Sequence, residues 1–242
     1  MMPMLLLLLF SLALITGTAL VVFVVRLARH NRLAQTMDLS NSASFFPLAN
    51  SYYQRRPACW LAVKSHNLLA VQSALGLHNP KPCSWMEGLE QKLFIAPPVK
   101  GWVLVIGSGL PDPSDDVDAC YRFVLDLSRK LGQVQFFSAS RILHHHAWVR
   151  ADGGRVVRAY AWAGRTIWKQ GAITVAEADL DLKCFDYGDP PERVWSGQPD
   201  AMVSNTEKVP LLASRWSLDP ACIDEQFFEN EQGIAGEPSR RY

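Results

Sequence analysis

The stretch Gly101–Gln170 holds the pattern that limits the fold most. It opens on an unbroken apolar run, Trp102-Val103-Leu104-Val105-Ile106, between Gly101 and Gly107. A short apolar run bounded by glycines reads as a buried strand. A helix is expected from about Asp115 to Leu131, because Val117, Cys120, Tyr121, Val124, Leu127 and Leu131 recur at helical spacing. Ser114 or Asp112 supplies its N-cap, Arg129 and Lys130 complement its C-terminal dipole, and Gly132 ends it. A strand follows over Gln133–Ala139. Alternating runs then meet at Ala151-Asp152-Gly153-Gly154 and at Ala163-Gly164-Arg165, both tight-turn signals. Short turns between period-two runs make the neighbouring strands antiparallel.

With turns at Asp152-Gly153 and Gly164-Arg165, alternation sorts these strands onto two faces. One carries Ile142, His144, His146, Trp148, Val157, Ala159, Ala161, Trp168 and Gln170. The small residues Ala159 and Ala161 suit a face on which a helix lies, so this is the covered face. The other carries His145, Arg158, Tyr160, Trp162 and Lys169 among smaller residues. Cations beside amphipathic aromatics on adjacent strands suit a contact patch. A bulge in this hairpin would exchange the faces.

Outside this block the signals are more local. Cys59–Lys64 reads as a strand, and Ser65 caps a helix running to Leu75, where Gly76 stops it. His78–Pro82 reads as a loop, Ser84–Gln91 as a short helix and Lys92–Ala96 as a strand. Thr174-Val-Ala-Glu177 matches the capping box, starting a helix to about Phe185. Short helices are expected over Glu207–Trp216 and from Pro220 to Phe228, with Asp219 as N-cap. The Gly/Glu/Pro/Ser/Arg composition after Phe228 reads as a frayed tail.

Ahead of the domain, Met4–Val25 carries no charged residue, and Arg26, Arg29 and Arg32 come directly after it. About 20 apolar residues cross a bilayer as a helix. The flanking arginines direct the C-terminal body to the cytoplasmic side. A cleaved signal would have a basic start and a shorter apolar core. The expected organisation is a transmembrane anchor with basic flank (1–34), a linker (35–55), an α+β domain (56–190), a helical extension packed on it (191–228) and a flexible tail (229–242). The fold class is α+β, a mostly antiparallel sheet of five or six strands with helices on one face. The element order of its centre loosely resembles small bacterial α+β domains of the toxin-immunity kind, a likeness that transfers no residue role.

The chain has 242 residues with a net charge of +1, which gives no general attraction to nucleic acid. Cys59, Cys83, Cys120, Cys184 and Cys222 form no paired zinc-type spacing, so free thiols in a reducing compartment are expected. Ile106-Gly-Ser-Gly109 before a helix invites a phosphate-loop reading. It lacks the full glycine fingerprint and the Gly-Lys-Ser/Thr, and Asp112, Asp115, Asp116 and Asp118 would repel an anion. His144 and His146 sit two apart and could chelate a metal from one strand face, yet no third ligand is near in sequence. No cofactor is expected. These features together indicate a non-catalytic interaction module on the membrane. It contacts lipid through residues 4–25 and a protein partner through Arg158, Tyr160, Trp162, Lys169 and His145. The alternatives are a tethered enzyme or metal-binding protein centred on His144/His146, and a structural subunit of a membrane complex.

Overall fold

Antiparallel pairing extends well beyond the central block. The computed structural model describes residues 57–189, 201–223, 228 and 231–238. Its strands are β1 (Cys59–Lys64), β2 (Leu77–Cys83), β3 (Leu93–Ile95), β4 (Trp102–Ile106), β5 (Val134–Ser140), β6 (His145–Asp152), β7 (Arg155–Trp162), β8 (Thr166–Gln170) and β9 (Gly233–Pro238). The helices are α1 (Leu68–Leu75), α2 (Trp85–Gly88), α3 (Val117–Leu131), α4 (Val175–Asp179) and α5 (Ala201–Trp216). The strands form one nine-stranded sheet in the order β2-β9-β3-β4-β1-β5-β6-β7-β8. Every neighbouring pair is antiparallel. The α+β class and its antiparallel sheet are thus observed. Met4–Val25 and the linker lie outside the described residues, and among the described residues no helix is long and apolar enough to cross a membrane.

Helices cover both faces of the sheet, which corrects the expectation of one. On face A, Trp60, Leu104, Phe137, Trp148, Tyr160 and Trp162 are buried with Val209, Leu212 and Ala213 of α5. On face B, Leu61, Val105, Phe136, Val149 and Ala159 are buried with Val71 and Leu75 of α1 and Cys120, Val124 and Leu127 of α3. Each large apolar side chain so buried contributes ~1.5–3 kcal/mol. Asp116, rather than Ser114 or Asp112, caps α3, its Oδ1 accepting from the Ala119 N–H at 2.9 Å.

Register decides which side chains share a face. The β7–β8 pairing sets Ala159 opposite Gln170 and Ala161 opposite Trp168, the register of a Gly164-Arg165 turn, but it shifts by one residue next to the turn, where Trp162 pairs with Thr166. The β6–β7 hairpin differs. Its turn is Gly153-Gly154, both at positive φ, and the register shifts between Arg150↔Arg158 and Ala151↔Val156. Val157 is the extra residue, and one extra residue reverses parity along the rest of the strand. His146 and Trp148 therefore share face A with Arg158, Tyr160 and Trp162, while Ala159 and Ala161 face α3.

Two segments read as irregular are strands. In β2 the Pro80 and Pro82 that suggest a loop sit on an edge strand, where a missing N–H is tolerated. The tail expected from residue 229 contains β9, which lies between β2 and β3. Its Gly233 is a packing requirement, since a Cβ there would stand 2.4 Å from the Phe94 ring and 2.5 Å from the Ile95 carbonyl oxygen. Ending the chain at Gln232 removes an internal strand. It should lower the thermal midpoint sharply or abolish the cooperative melt. An unchanged melting curve would restore the frayed-tail reading.

Candidate functional site

Face A carries most of the side chains singled out as a contact patch, and it is sealed. Arg158 is 1% exposed, Tyr160 0% and Trp162 5%. The segment after β8 folds back over them. Its capping box forms, with the Thr174 N–H donating to Glu177 Oε2 at 2.8 Å and the Glu177 N–H to Thr174 Oγ1 at 3.3 Å. The same Glu177 carboxylate meets Arg158, with Nη2 to Oε1 at 2.7 Å and Nε to both oxygens at 2.9 and 3.1 Å. Trp148 Nε1 donates to Oε1 at 2.6 Å. Arg158 Nη1 reaches the carbonyls of Ala159, Gln170 and Gly171, and Nη2 the Cys184 sulfur.

Further along, the Phe185 N–H donates to the Tyr160 hydroxyl at 3.2 Å, and Thr166 Oγ1 donates to the Phe185 carbonyl at 3.0 Å. Lys169 is partly exposed and paired with Asp186. His145 lies on the other face from Arg158 and is half-buried. Arg158, Tyr160 and Trp162 are therefore corrected from a docking surface to an internal layer, which His145 does not join and Lys169 only borders.

The two candidate metal ligands are also parted. His144 precedes β6 at φ 53°, exposed, while His146 is buried at 1%. Asn205 Oδ1 accepts from the Lys183 N–H at 2.9 Å, which turns its amide nitrogen toward His146 Nε2 at 3.2 Å. Nε2 is then the acceptor, leaving Nδ1–H to donate to Thr206 Oγ1 at 3.3 Å. Both ring nitrogens are used, so the chelating pair does not form. Among the described residues no group of three His, Cys, Asp or Glu is placed to hold a metal.

Burial dominates the electrostatics. It pushes the His146 pKa down from 6.5 to about 3, so the ring stays neutral in the fold. Burial alone would raise the Glu177 carboxyl, but bonds from Arg158 and Thr174 outweigh it and hold the group below the ordinary carboxylate value. Burial raises Tyr160 to about 12 and Cys184 to about 11. These groups keep fixed protonation states near neutral pH, suited to holding structure.

An open concavity lies at the end of the sheet where β4 stops. It has a volume of about 850 Å³, with apolar walls from Leu89, Leu110 and Pro238 and carboxylates from Asp112, Asp115 and Asp116. Asp112 Oδ1 accepts from the Ser114 N–H and O–H, both at 2.8 Å, and Asp116 caps α3. On the far rim Lys92 Nζ and Glu237 Oε1 stand 3.0 Å apart, both exposed. Cys59 also lines the cleft, and burial raises its thiol pKa well above the usual value, so it is no thiolate nucleophile. The acidic loop was legible as acidic. Lys92 and Glu237 join it only because β9 pairs with β3, which no local signal announces.

No family model, curated protein or solved structure matches the chain, so the toxin-immunity likeness finds no counterpart among them.

The polar layer generates two stability predictions. Glu177→Ala strands a buried guanidinium and should cost ~3–5 kcal/mol in chemical denaturation, whereas Arg158→Met with Glu177→Leu should cost much less. Equal losses would mean the ion pair is not what matters. For His146, the unfolded chain takes up a proton near pH 6.5 but the folded chain only near pH 3. The unfolded state then binds more protons in that window, so stability falls as pH drops through it. Glu177 adds to the fall below the ordinary carboxylate value, where its depressed pKa makes protonation unfavourable to the fold. His146→Gln should flatten the slope between pH 6.5 and 5, and an unchanged slope would contradict the buried neutral ring.

Proposed function

We propose that the chain is a single-pass membrane protein whose α+β domain lies on the cytoplasmic side as a non-catalytic protein-interaction module. Its contact surface is the acidic cleft at the end of β4. The reading is carried by that cleft, where carboxylates and an exposed ion pair rim an apolar hollow large enough for several side chains. Such a lining suits a segment that brings basic and apolar residues together. The positive charges satisfy Asp112, Asp115 and Asp116, and the apolar parts cover Leu89, Leu110 and Pro238. The uncharged run Met4–Val25 with arginines after it supports the tether and its orientation.

The test is charge reversal where no internal role is lost. Asp115→Lys with Glu237→Lys leaves the α3 cap and the Asp112–Ser114 bonds in place, and the exposed Lys92–Glu237 pair contributes little to folding. A photocrosslinker at Ser108 in cells should give a discrete protein adduct that the double variant loses. Stability should stay within about 1 kcal/mol of the parent. An adduct that persists undiminished in the double variant, or no adduct at all, would reject the cleft as the contact surface.

A further inference from the structure

The connection from β3 to β4 closes in a two-residue hairpin turn. The Val99 N–H donates to the Trp102 carbonyl at 2.8 Å, and the Trp102 N–H to the Val99 carbonyl at 2.9 Å. Lys100 and Gly101 between them both sit at positive φ, 50° and 78°. This is the type I′ geometry, whose first central position favours asparagine, aspartate or glycine. A lysine in left-handed backbone is uncommon, and such strain gathers where a side chain is held out for contact. Lys100 is exposed here, with Val99 half-buried beside it.

Two further groups stand at this turn. A Cβ built on Gly101 would lie 3.3 Å from His66 Nε2 and 3.4 Å from Lys64 Nζ. The Lys64 ammonium is also held 4.8 Å from the centre of the Trp102 ring. Among the described residues no carboxylate pairs with Lys64 or Lys100, and the Asp115 carboxylate in the cleft makes no hydrogen bond or ion pair. The turn thus brings unmatched cations together with Val99, the mixture that complements a cleft lined by Asp115, Leu89, Leu110 and Pro238. Strand β4 joins the two features. Trp102 starts it at the turn, and Ile106 ends it in the wall of the cleft, about 13 Å along the strand. Turn and cleft therefore occupy opposite ends of one strand.

We propose that the partner of the cleft is a second copy of this chain, whose Val99–Lys100 turn enters it and sets the Lys100 ammonium against Asp115. This rests on the reading of the cleft as a contact surface and adds what it contacts. The inserted surface and the receiving one differ, so the contact is heterologous. Docking one copy leaves a free turn at one end of the pair and a free cleft at the other. Copies then add head to tail instead of closing as a two-fold dimer. Salt weakens the contact, because the matched charges are exposed in the separate chains.

The experiment uses the full chain, purified in a nonionic detergent, with a photocrosslinker at Ser108 in the cleft. The expected result is a two-chain adduct with higher multiples above it, its crosslink mapping to residues 98–102, and the whole ladder lost in high salt. Asparagine suits the turn better than lysine, so Lys100→Asn keeps the hairpin and should lose the ladder. That variant offers only a cleft, and a chain with Asp115→Lys and Glu237→Lys offers only a turn. Mixed, both carrying the crosslinker, they should give two-chain adducts and nothing larger, whereas each alone should stay single. Single chains from the purified parent, with a different protein captured at Ser108 in cells, overturn self-docking and leave the cleft as a contact surface. Single chains in both settings overturn both. An adduct that survives Lys100→Asn alone, that maps outside the turn, or that fails to reappear in the mixture also overturns the proposal.

Discussion

A guanidinium and a carboxylate placed between a sheet and its cover would normally weaken a domain, because taking either out of water costs several kcal/mol. Here Arg158 and Glu177 are both fully covered, and the arrangement holds because their polar atoms are met. Glu177 receives Arg158, the Trp148 indole and the Thr174 N–H and O–H. Arg158 spends its remaining donors on the carbonyls of Ala159, Gln170 and Gly171 and on the Cys184 sulfur. The carboxylate that starts α4 is thus also the one that fixes the segment to the sheet. Local helix initiation and long-range packing share one residue. The polypeptide after α4 is then tied down by Lys183 to Asn205 and Phe185 to Tyr160, and α5 completes the cover through His146.

That cover leaves only other parts of the surface open to contact. At one edge of the sheet the Tyr187 hydroxyl accepts the Lys169 N–H and donates to the Lys169 carbonyl, so strand addition is blocked there. At the other edge β2 carries Pro80 and Pro82, which give no donor to an incoming strand. The end of the sheet at which the chain enters is different in character. It holds the acidic cleft and, at the β5–β6 turn, two exposed aliphatic side chains.

The features legible in the sequence are those that short-range physics decides. The apolar run of β4, the α3 helix with its glycine stop and the Thr174/Glu177 capping box all arise from period and caps within a few residues. The losses have a common cause in pairing at a distance. Val157 reverses the parity of β7 by one extra residue, and nothing in Arg155-Val-Val-Arg158 marks it. The glycines of Gly233-Ile-Ala-Gly236 read as looseness, yet Gly233 is needed for close packing on Phe94. Arg158 looked like a surface cation because its counter-ion lies 19 positions away in a motif already explained by capping. For the site, the acidic half of the cleft could be read from Asp112–Asp116, and the half from β3 and β9 could not.

The sealed Arg158–Glu177 layer holds the cover on the sheet, and its most direct test is hydrogen exchange of its own donors. Nitrogen-detected NMR follows the Arg158 Nε–H and the Trp148 indole N–H as solvent is changed to deuterium. A closed layer requires both to exchange only when the whole domain unfolds, with protection equal to that of the most protected β5 and β6 amides and the same denaturant dependence. Exchange at the rate of an exposed side chain, or through local opening of the 174–187 segment alone, would contradict it.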